Sequence, residues 1–275
     1  MSIKYILNRM KNLTMSIARL SRGVAVASLI AVSTSLGVIN SAPKAQAGLC
    51  QSISIPAYFY PGTYWQKATV AAPRVGVMIM NPNSGAGAAK NIDYVTAVKN
   101  AQAAGIKVIG YVYTSYGTRD ATAVKTEIDQ YKTWYAVDGI FLDEVATSTN
   151  NLVYYTNVAN YIRNTKGTLV MLNPGTVPAE DYIKLADITV VFEDTYSNYQ
   201  NWQAPAWLFN YPANKFAHFI HSTFGTTGMN NAIGLAVVRN AGTIYVTDDV
   251  LPNPWDTLPT YWTNELTAMT TKCSS

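Results

Sequence analysis

The chain has 275 residues, 49% hydrophobic and only 13% charged, with 20 Lys and Arg against 16 Asp and Glu for a formal charge of +4. Six of the basic residues, Lys4, Arg9, Lys11, Arg19, Arg22 and Lys44, fall in the first 47 positions, which hold no acid; the remainder has 14 basic against 16 acidic groups, a net charge of about −2. With no cluster among the remaining Lys and Arg, this balance excludes a nucleic-acid partner.

The N-terminal segment reads as a secretory signal peptide. Basic residues precede an uncharged run from Gly23 to Pro43, and Ala45-Gln46-Ala47 supplies an A-x-A site, so cleavage is expected after Ala47. The same signal has ordinary proportions if it begins at Met15. The apolar centre of that run, Ala25 to Val38, is shorter than the ~20 residues that span a bilayer and is diluted by Ser and Thr, and Leu49 stands before Cys50 where a lipoprotein signal needs a small residue. A secreted or periplasmic protein is therefore expected, without stable membrane insertion after cleavage, and as a monomer. The only two cysteines, Cys50 and Cys273, lie near the two ends of the mature chain, where an exported protein is expected to join them as a disulfide.

Residues 48–275 contain no Pro/Gly/Ser-rich linker or charge run, so one domain is expected. Eight β-branched or aromatic runs read as strands: 52–60, 75–81, 107–114, 139–145, 168–173, 188–194, 216–223 and 243–248. Helical stretches lie between them at 91–104, 122–135, 151–164, 179–185, 229–240 and 258–271. In the first of these Ile92, Val95, Val98 and Ala101 recur at about the helical period, and Gly105 gives a stop. Alternation of this kind implies parallel strands joined by crossovers, and eight units fit a closed α/β fold, a single (β/α)8 TIM-type barrel. The run Val75-Gly-Val-Met-Ile-Met80 suits a strand covered on both faces.

The competing fold, an open doubly wound sheet, would carry a nucleotide fingerprint. Gly85-Ala-Gly87-Ala-Ala-Lys90 matches only two of its three glycine positions, and no acid ends the following strand, so no dinucleotide cofactor is expected. The mature chain has two histidines, His218 and His221, no H-E-x-x-H and no cysteine cluster, which argues against a zinc site; no metal or other cofactor is expected. A G-x-S-x-G nucleophile elbow is absent.

Active sites of (β/α)8 barrels lie at the C-terminal strand ends, and here polarity switches on at that end only. The series runs Tyr58 and Tyr60, Asn81, Tyr111 and Tyr113, Asp143 and Glu144, Asn173, Glu193 and Asp194, His221, then Asp248 and Asp249. Asp143, Glu144 and Glu193 are the catalytic candidates. Adjacent strand residues face opposite ways, so only one of Asp143 and Glu144 projects into the barrel unless the strand has ended. Glu193 lies two strands from Asp143, a backbone separation of ~10 Å, which leaves both retaining and inverting carboxylate spacings open. Asp194, Asp248 and Asp249 fit equally well as caps of following helices. His218 reads as packing and His221 as a cleft residue, while Trp65, Trp202, Trp255 and Trp262, in loop-like segments, are candidates for a sugar groove.

Seven short motifs in order, Ile55-Pro-Ala-Tyr58-Phe-Tyr60-Pro61, Asn81-Pro-Asn-Ser-Gly85-Ala-Gly87, Gly110-Tyr111-Val-Tyr113-Thr114, Gly139-Ile-Phe-Leu-Asp143-Glu144, Asn173-Pro-Gly175, Phe192-Glu193 and Tyr245-Val-Thr-Asp248-Asp249, resemble the spherulation-specific family 4 (spherulin 4-like) proteins. The resemblance spans essentially the whole mature chain. It implies a barrel glycoside hydrolase acting within chains of galactosamine-containing exopolysaccharide, a polysaccharide partner, and a catalytic set of Asp143, Glu144 and Glu193. Tyr60, Asn81, Tyr113 and Asn173 would shape the sugar subsite, with Tyr58, Tyr111, His221 and Asp248 beside them. One departure is Ala86, where the family commonly has proline. The favoured roles are Glu193 as acid and Asp143 as nucleophile or base, with Glu144 in support. The alternative is a non-catalytic carbohydrate-binding or cell-envelope protein on the same barrel.

Overall fold

The computed structural model describes residues 51–164 and 168–271. The expected signal peptide and both expected disulfide partners, Cys50 and Cys273, lie outside the described residues. Eight strands, β1 (Ser52–Ala57), β2 (Val75–Met80), β3 (Lys107–Tyr113), β4 (Gly139–Asp143), β5 (Leu169–Leu172), β6 (Ile188–Thr195), β7 (Phe216–His221) and β8 (Thr243–Val246), form a closed parallel barrel in chain order. Each is followed by a helix: α1 (Thr63–Thr69), α2 (Ile92–Ala103), α3 (Ala121–Tyr135), α4 (Leu152–Arg163), α5 (Asp181–Leu185), α6 (Tyr196–Asn201), α7 (Gly225–Val238) and α8 (Trp262–Thr271). The (β/α)8 architecture expected from the alternation is the one observed. Among the described residues no helix is long and apolar enough to cross a membrane.

Polar residues just past the strands start the helices. The side chains of Asn91, Asp120 and Thr195 accept from the backbone N–H of Asp93, Ala123 and Asn198, satisfying donors that a first helical turn leaves unpaired. In α2 the buried stripe is Tyr94, Val98 and Ala101, while Ile92 is 68% exposed. The inward face is thus rotated from the one the aliphatic residues alone suggested, because the large Tyr94 ring takes the core position. Two helices were not expected, α1 and α6; both are short, and α1 follows Pro61-Gly62, which resembles a turn.

Inside the barrel, aromatic rings from different strands pack at a tilt: Tyr111 with Phe141 at 6.1 Å and Phe141 with Phe219 at 6.5 Å between centroids. The wall is thinly paired where its first and last strands meet. β1 and β8 pair only through Ser52 with Thr243 and Ile53 with Ile244. Beyond that point Val246 N donates to Glu265 Oε1 of α8 (3.2 Å), and Tyr58 N donates to the Trp255 carbonyl (3.1 Å), so the segment after β8 fills the opened seam.

Candidate active site

Strand register gathers the polar strand ends on one surface. Parallel partners face the same way, and the pairs Tyr111 with Phe141, Tyr113 with Asp143, Phe141 with Met171, and Glu193 with Phe219 place Tyr111, Asp143, Asn173 and Glu193 on the inner side. Tyr58 joins them, its ring 5.5 Å from that of Tyr111. The barrel ends here, and so does the steric need for apolar side chains.

At the centre a single nitrogen joins two acids. Asn173 Nδ2 donates to Asp143 Oδ1 at 2.8 Å and to Glu193 Oε2 at 2.5 Å, which commits both amide hydrogens. Its Oδ1 accepts from Gly175 N at 2.9 Å, fixing which way the amide points. Since the two contacts share one atom, those carboxylate oxygens lie no further apart than the 5.3 Å total of 2.8 and 2.5 Å.

Burial pushes the Glu193 carboxyl up to about 7, the neighbouring Asp143 charge adds to this, and donors from Asn173 and Trp255 oppose it. Burial likewise pushes Asp143 up to about 6, against hydrogen bonds from Tyr111, the Glu144 N–H and Asn173. Three donors favour the charged form of Asp143 and two that of Glu193, so the proton at neutral pH is better placed on Glu193. Burial holds the Tyr58 and Tyr111 phenols well above their usual value, keeping both as neutral donors.

The strand ends at Asp143, and Glu144 takes a left-handed φ of 51°, which breaks the alternation that would have turned it outward. Its carbonyl is held by Thr114 Oγ1 (2.9 Å) and Tyr116 N (2.7 Å), and its charge acts on both Asp143 and Tyr111. Ser84, Ser115, Tyr116 and Ser222, past the ends of β2, β3 and β7, are also left-handed, whereas Ala136 and Asn240 are left-handed where helices α3 and α7 end. Strained backbone of this kind concentrates where function constrains it.

The remaining candidates form the surround. Tyr60 leaves the barrel: it is 57% exposed, and its hydroxyl donates to Asp93 Oδ2 (2.6 Å). Asn81 Oδ1 accepts from Gly85 N (2.8 Å) and shapes the glycine-rich loop. That loop also donates from Ala86 N to Glu127 Oε1 (3.1 Å), and Glu127 pairs with Arg119 at 2.6 Å, so its amides face a carboxylate, an environment hostile to phosphate. Arg119 covers the Tyr113 ring at 4.0 Å. His221 is buried, which lowers its pKa; its Nδ1 meets Ser222 Oγ at 3.0 Å. Both carboxylate oxygens of Asp248 engage Thr260, the N–H and the hydroxyl, tying the segment after β8 down.

Three of the four tryptophans considered for a groove are elsewhere. Trp65 and Trp262 are buried on α1 and α8, and Trp202 packs on Phe192 and His218 behind the wall. His218 is core, fully buried, with Nδ1 2.7 Å from the Tyr199 hydroxyl. Trp255 alone reaches the site, its ring 5.9 Å from His221. A separate hollow of about 400 Å³ lies at the opposite end of the barrel, where Lys107 pairs with Asp138 and Arg163 with Asp187. Asp138 and Asp187 there accept from Val108 N and Val170 N, so these charges brace the strand starts.

A family model described as spherulation-specific family 4 matches residues 52–269. Spherulin-4 of Physarum polycephalum is 37% identical over 231 residues, 78% of this chain and 69% of that protein. Among solved structures, Sph3 of Aspergillus clavatus, crystallised in complex with GalNAc, matches with a TM-score of 0.70 at 24% identity over 82% of this chain and 98% of that one. A chitinase from Chromobacterium violaceum matches with a TM-score of 0.55 at 10% identity over 82% of this chain and 100% of that one. At such identities the structural matches speak to the barrel.

Proposed function

The chain belongs to spherulation-specific family 4, and from that premise we propose a secreted glycoside hydrolase that cuts galactosamine-type exopolysaccharide within the chain, using Asp143 and Glu193 with Glu144 in support. The observation that carries this reading is the Asp143–Asn173–Glu193 bridge, two partly buried acids of unequal environment whose bridged oxygens lie within 5.3 Å of each other. Retaining glycosidases hold their carboxyl groups ~5–5.5 Å apart, inverting ones ~6.5–9.5 Å, so the spacing supports retention.

In this mechanism Glu193 gives its proton to the glycosidic oxygen as the bond to the anomeric carbon breaks. Ionised Asp143 attacks that carbon and forms a glycosyl ester. Glu193, now a carboxylate, takes a proton from water, whose oxygen displaces Asp143 and releases the sugar with its original anomeric configuration. Glu144 adds negative charge beside a transition state that carries positive charge on the sugar ring. The GalNAc held by Sph3, a structural relative, supports an amino-sugar ligand.

The test is a panel of acetylated and deacetylated galactosamine polymers incubated with the mature protein, reading released reducing ends and the anomer first formed. Cleavage lost in Asp143→Asn and Glu193→Gln is expected. Binding without release by the intact protein would favour the non-catalytic carbohydrate-binding reading, and an inverted first product would remove Asp143 as nucleophile.

A further inference from the structure

We infer that Thr114 and Tyr155 are positioning residues whose two hydroxyls fix how Asp143 and Glu144 leave β4, and so set the rate of the reaction without touching the sugar. This rests on the proposed hydrolase only for its effect on rate. Both side chains are fully buried, one just past the end of β3 and the other on α4. Thr114 Oγ1 lies 2.8 Å from the Asp143 carbonyl oxygen, 2.9 Å from that of Glu144 and 2.8 Å from the Tyr155 hydroxyl. The Tyr155 hydroxyl in turn accepts from Ala146 N at 3.0 Å. Two side chains thus engage three backbone groups within four consecutive residues. Between those groups Val145 N donates to the Asn173 carbonyl at 3.0 Å, so the clamped segment is continuous with the residue that bridges the acids.

Counting hydrogens gives the direction of the chain, since each hydroxyl carries one. If Thr114 gives its own to the two carbonyls, Tyr155 gives its hydrogen to Thr114 Oγ1, and all the contacts of 2.8 and 2.9 Å are used. The reverse order would leave the phenol only the Glu144 carbonyl, at 3.4 Å. The Tyr155 ring is held edge-on by Tyr154 and Tyr182, with centroids at 5.0 and 5.5 Å, which fixes where its hydroxyl falls. What the pair holds is an unfavourable conformation: Glu144 has φ 51°, where its Cβ meets backbone, and that turn is what departs from the strand alternation. Neither carbonyl depends on Thr114 Oγ1 alone, because Thr114 N and Tyr116 N also serve Asp143 and Glu144, at 2.9 and 2.7 Å. Removing a hydroxyl therefore loosens the step at Glu144 and leaves the loop attached.

Three variants of the mature protein test this: Tyr155→Phe and Thr114→Val, which keep shape without the hydroxyl, and Thr114→Ser, which keeps the hydroxyl. NMR couplings sensitive to φ at Glu144 need no substrate. They are expected to report a left-handed residue in the unmodified protein and in Thr114→Ser, and a shift to negative φ in Tyr155→Phe and Thr114→Val. With polymer, kcat is expected to fall about tenfold in those two while KM stays within about twofold, and Thr114→Ser to recover most of the loss. Combining Tyr155→Phe with Thr114→Val should cost little more than either alone, because the hydroxyls act as one chain. Glu144 left-handed in both variants, kcat unmoved once φ has changed, or KM rising while kcat holds overturns the inference. Should either substitution prevent folding, the hydroxyl hydrogen of Thr114 in the unmodified protein decides. It is expected to be protected from exchange with solvent, and a freely exchanging hydroxyl overturns the inference. A changed φ in a variant of a protein that cleaves no polymer would keep the clamp and remove the hydrolase.

Discussion

Asp143 on β4 and Glu193 on β6 are tied together by the two hydrogens of one Asn173 nitrogen, at 2.8 and 2.5 Å. The amide between the two acids can only donate at that nitrogen. It therefore stabilises negative charge on both sides while burial and mutual repulsion oppose it. Asn173→Ala removes both bonds at once and lets the carboxyls separate. The expected result is a loss of about 10²-fold in kcat/KM with the barrel intact by circular dichroism, since misplacement of reacting groups by ~1 Å has costs of that order. Activity within twofold of the unmodified protein would show that the bridge does not align the pair.

The same two acids set the pH response. Asp143 must be ionised and Glu193 protonated for the first step, and burial raises both, to about 6 and about 7. Below the lower value the nucleophile is lost; above the upper one the acid is lost. A bell-shaped kcat/KM profile is expected, with its maximum between about pH 6 and 7 and its limbs belonging to the pair rather than to either residue. A profile flat from pH 5 to 8 would contradict the assignment.

Much of this site was legible in the sequence, for a specific reason. In a closed parallel barrel the strand interior must be apolar, so the first polar residues past it mark the mouth, and Tyr58, Asn81, Tyr111, Asp143, Asn173, Glu193 and His221 follow from counting alone. What lay beyond reach was the partner of each group. Asn173 could be placed beside a sugar, but its role as a clamp depends on acids from the strands to either side. Trp255 looked like any loop tryptophan, because its position depends on where β1 and β8 separate. Glu265 of α8 is fully buried, although an acid is ordinarily solvent-facing.

Glu265 gives a stability prediction. Burial pushes its carboxyl from 4.5 up to about 8, the bond from Val246 N only partly opposing this. The folded value lies above the unfolded one, so its contribution is complete below about pH 4.5 and is lost as the pH rises through about 8. Glu265→Gln keeps an acceptor for Val246 N and cannot ionise. Urea unfolding at pH 5, 7 and 9 is expected to show the variant close to the parent at pH 5 and the more stable of the two at pH 9. Parallel pH dependence in the two proteins would mean that Glu265 is already charged in the fold.

Arg119 ties α3 to β3 by three contacts, pairing with Glu127, covering the Tyr113 ring and donating to the Tyr113 carbonyl at 2.9 Å. Arg119→Ala leaves Glu127 without its cation while the carboxylate still faces Ala86 N. A loss of about 2 kcal/mol is expected in urea unfolding, below the range for fully buried pairs because both side chains keep some exposure. Arg119→Lys should recover little of it, since an ammonium cannot both stack and fork. Cleavage by added protease within residues 81–90 is expected to rise in both variants, and unchanged cleavage would show that the loop does not depend on this pair.

Gly110 tests how strictly the wall fixes the site. On β3 it lies beneath Tyr131 of α3, and a Cβ there would come within 2.5 Å of the ring. The ring has no room to retreat: Tyr131 is fully buried, its hydroxyl reaches the Met80 carbonyl at 3.4 Å, and the Tyr135 ring is 6.1 Å away. Gly110→Ala must therefore displace α3 or β3, with an expected loss of about 3 kcal/mol. Displacement of β3 also moves Tyr111, the next residue, whose hydroxyl serves Asp143, so kcat should fall along with stability. Shrinking the ring distinguishes this clash from a simple intolerance of alanine in the strand. In Gly110→Ala combined with Tyr131→Ala the clash is gone, and the double variant should be more stable than the two single losses added together. Additive losses would place the need for glycine in the backbone of β3 itself.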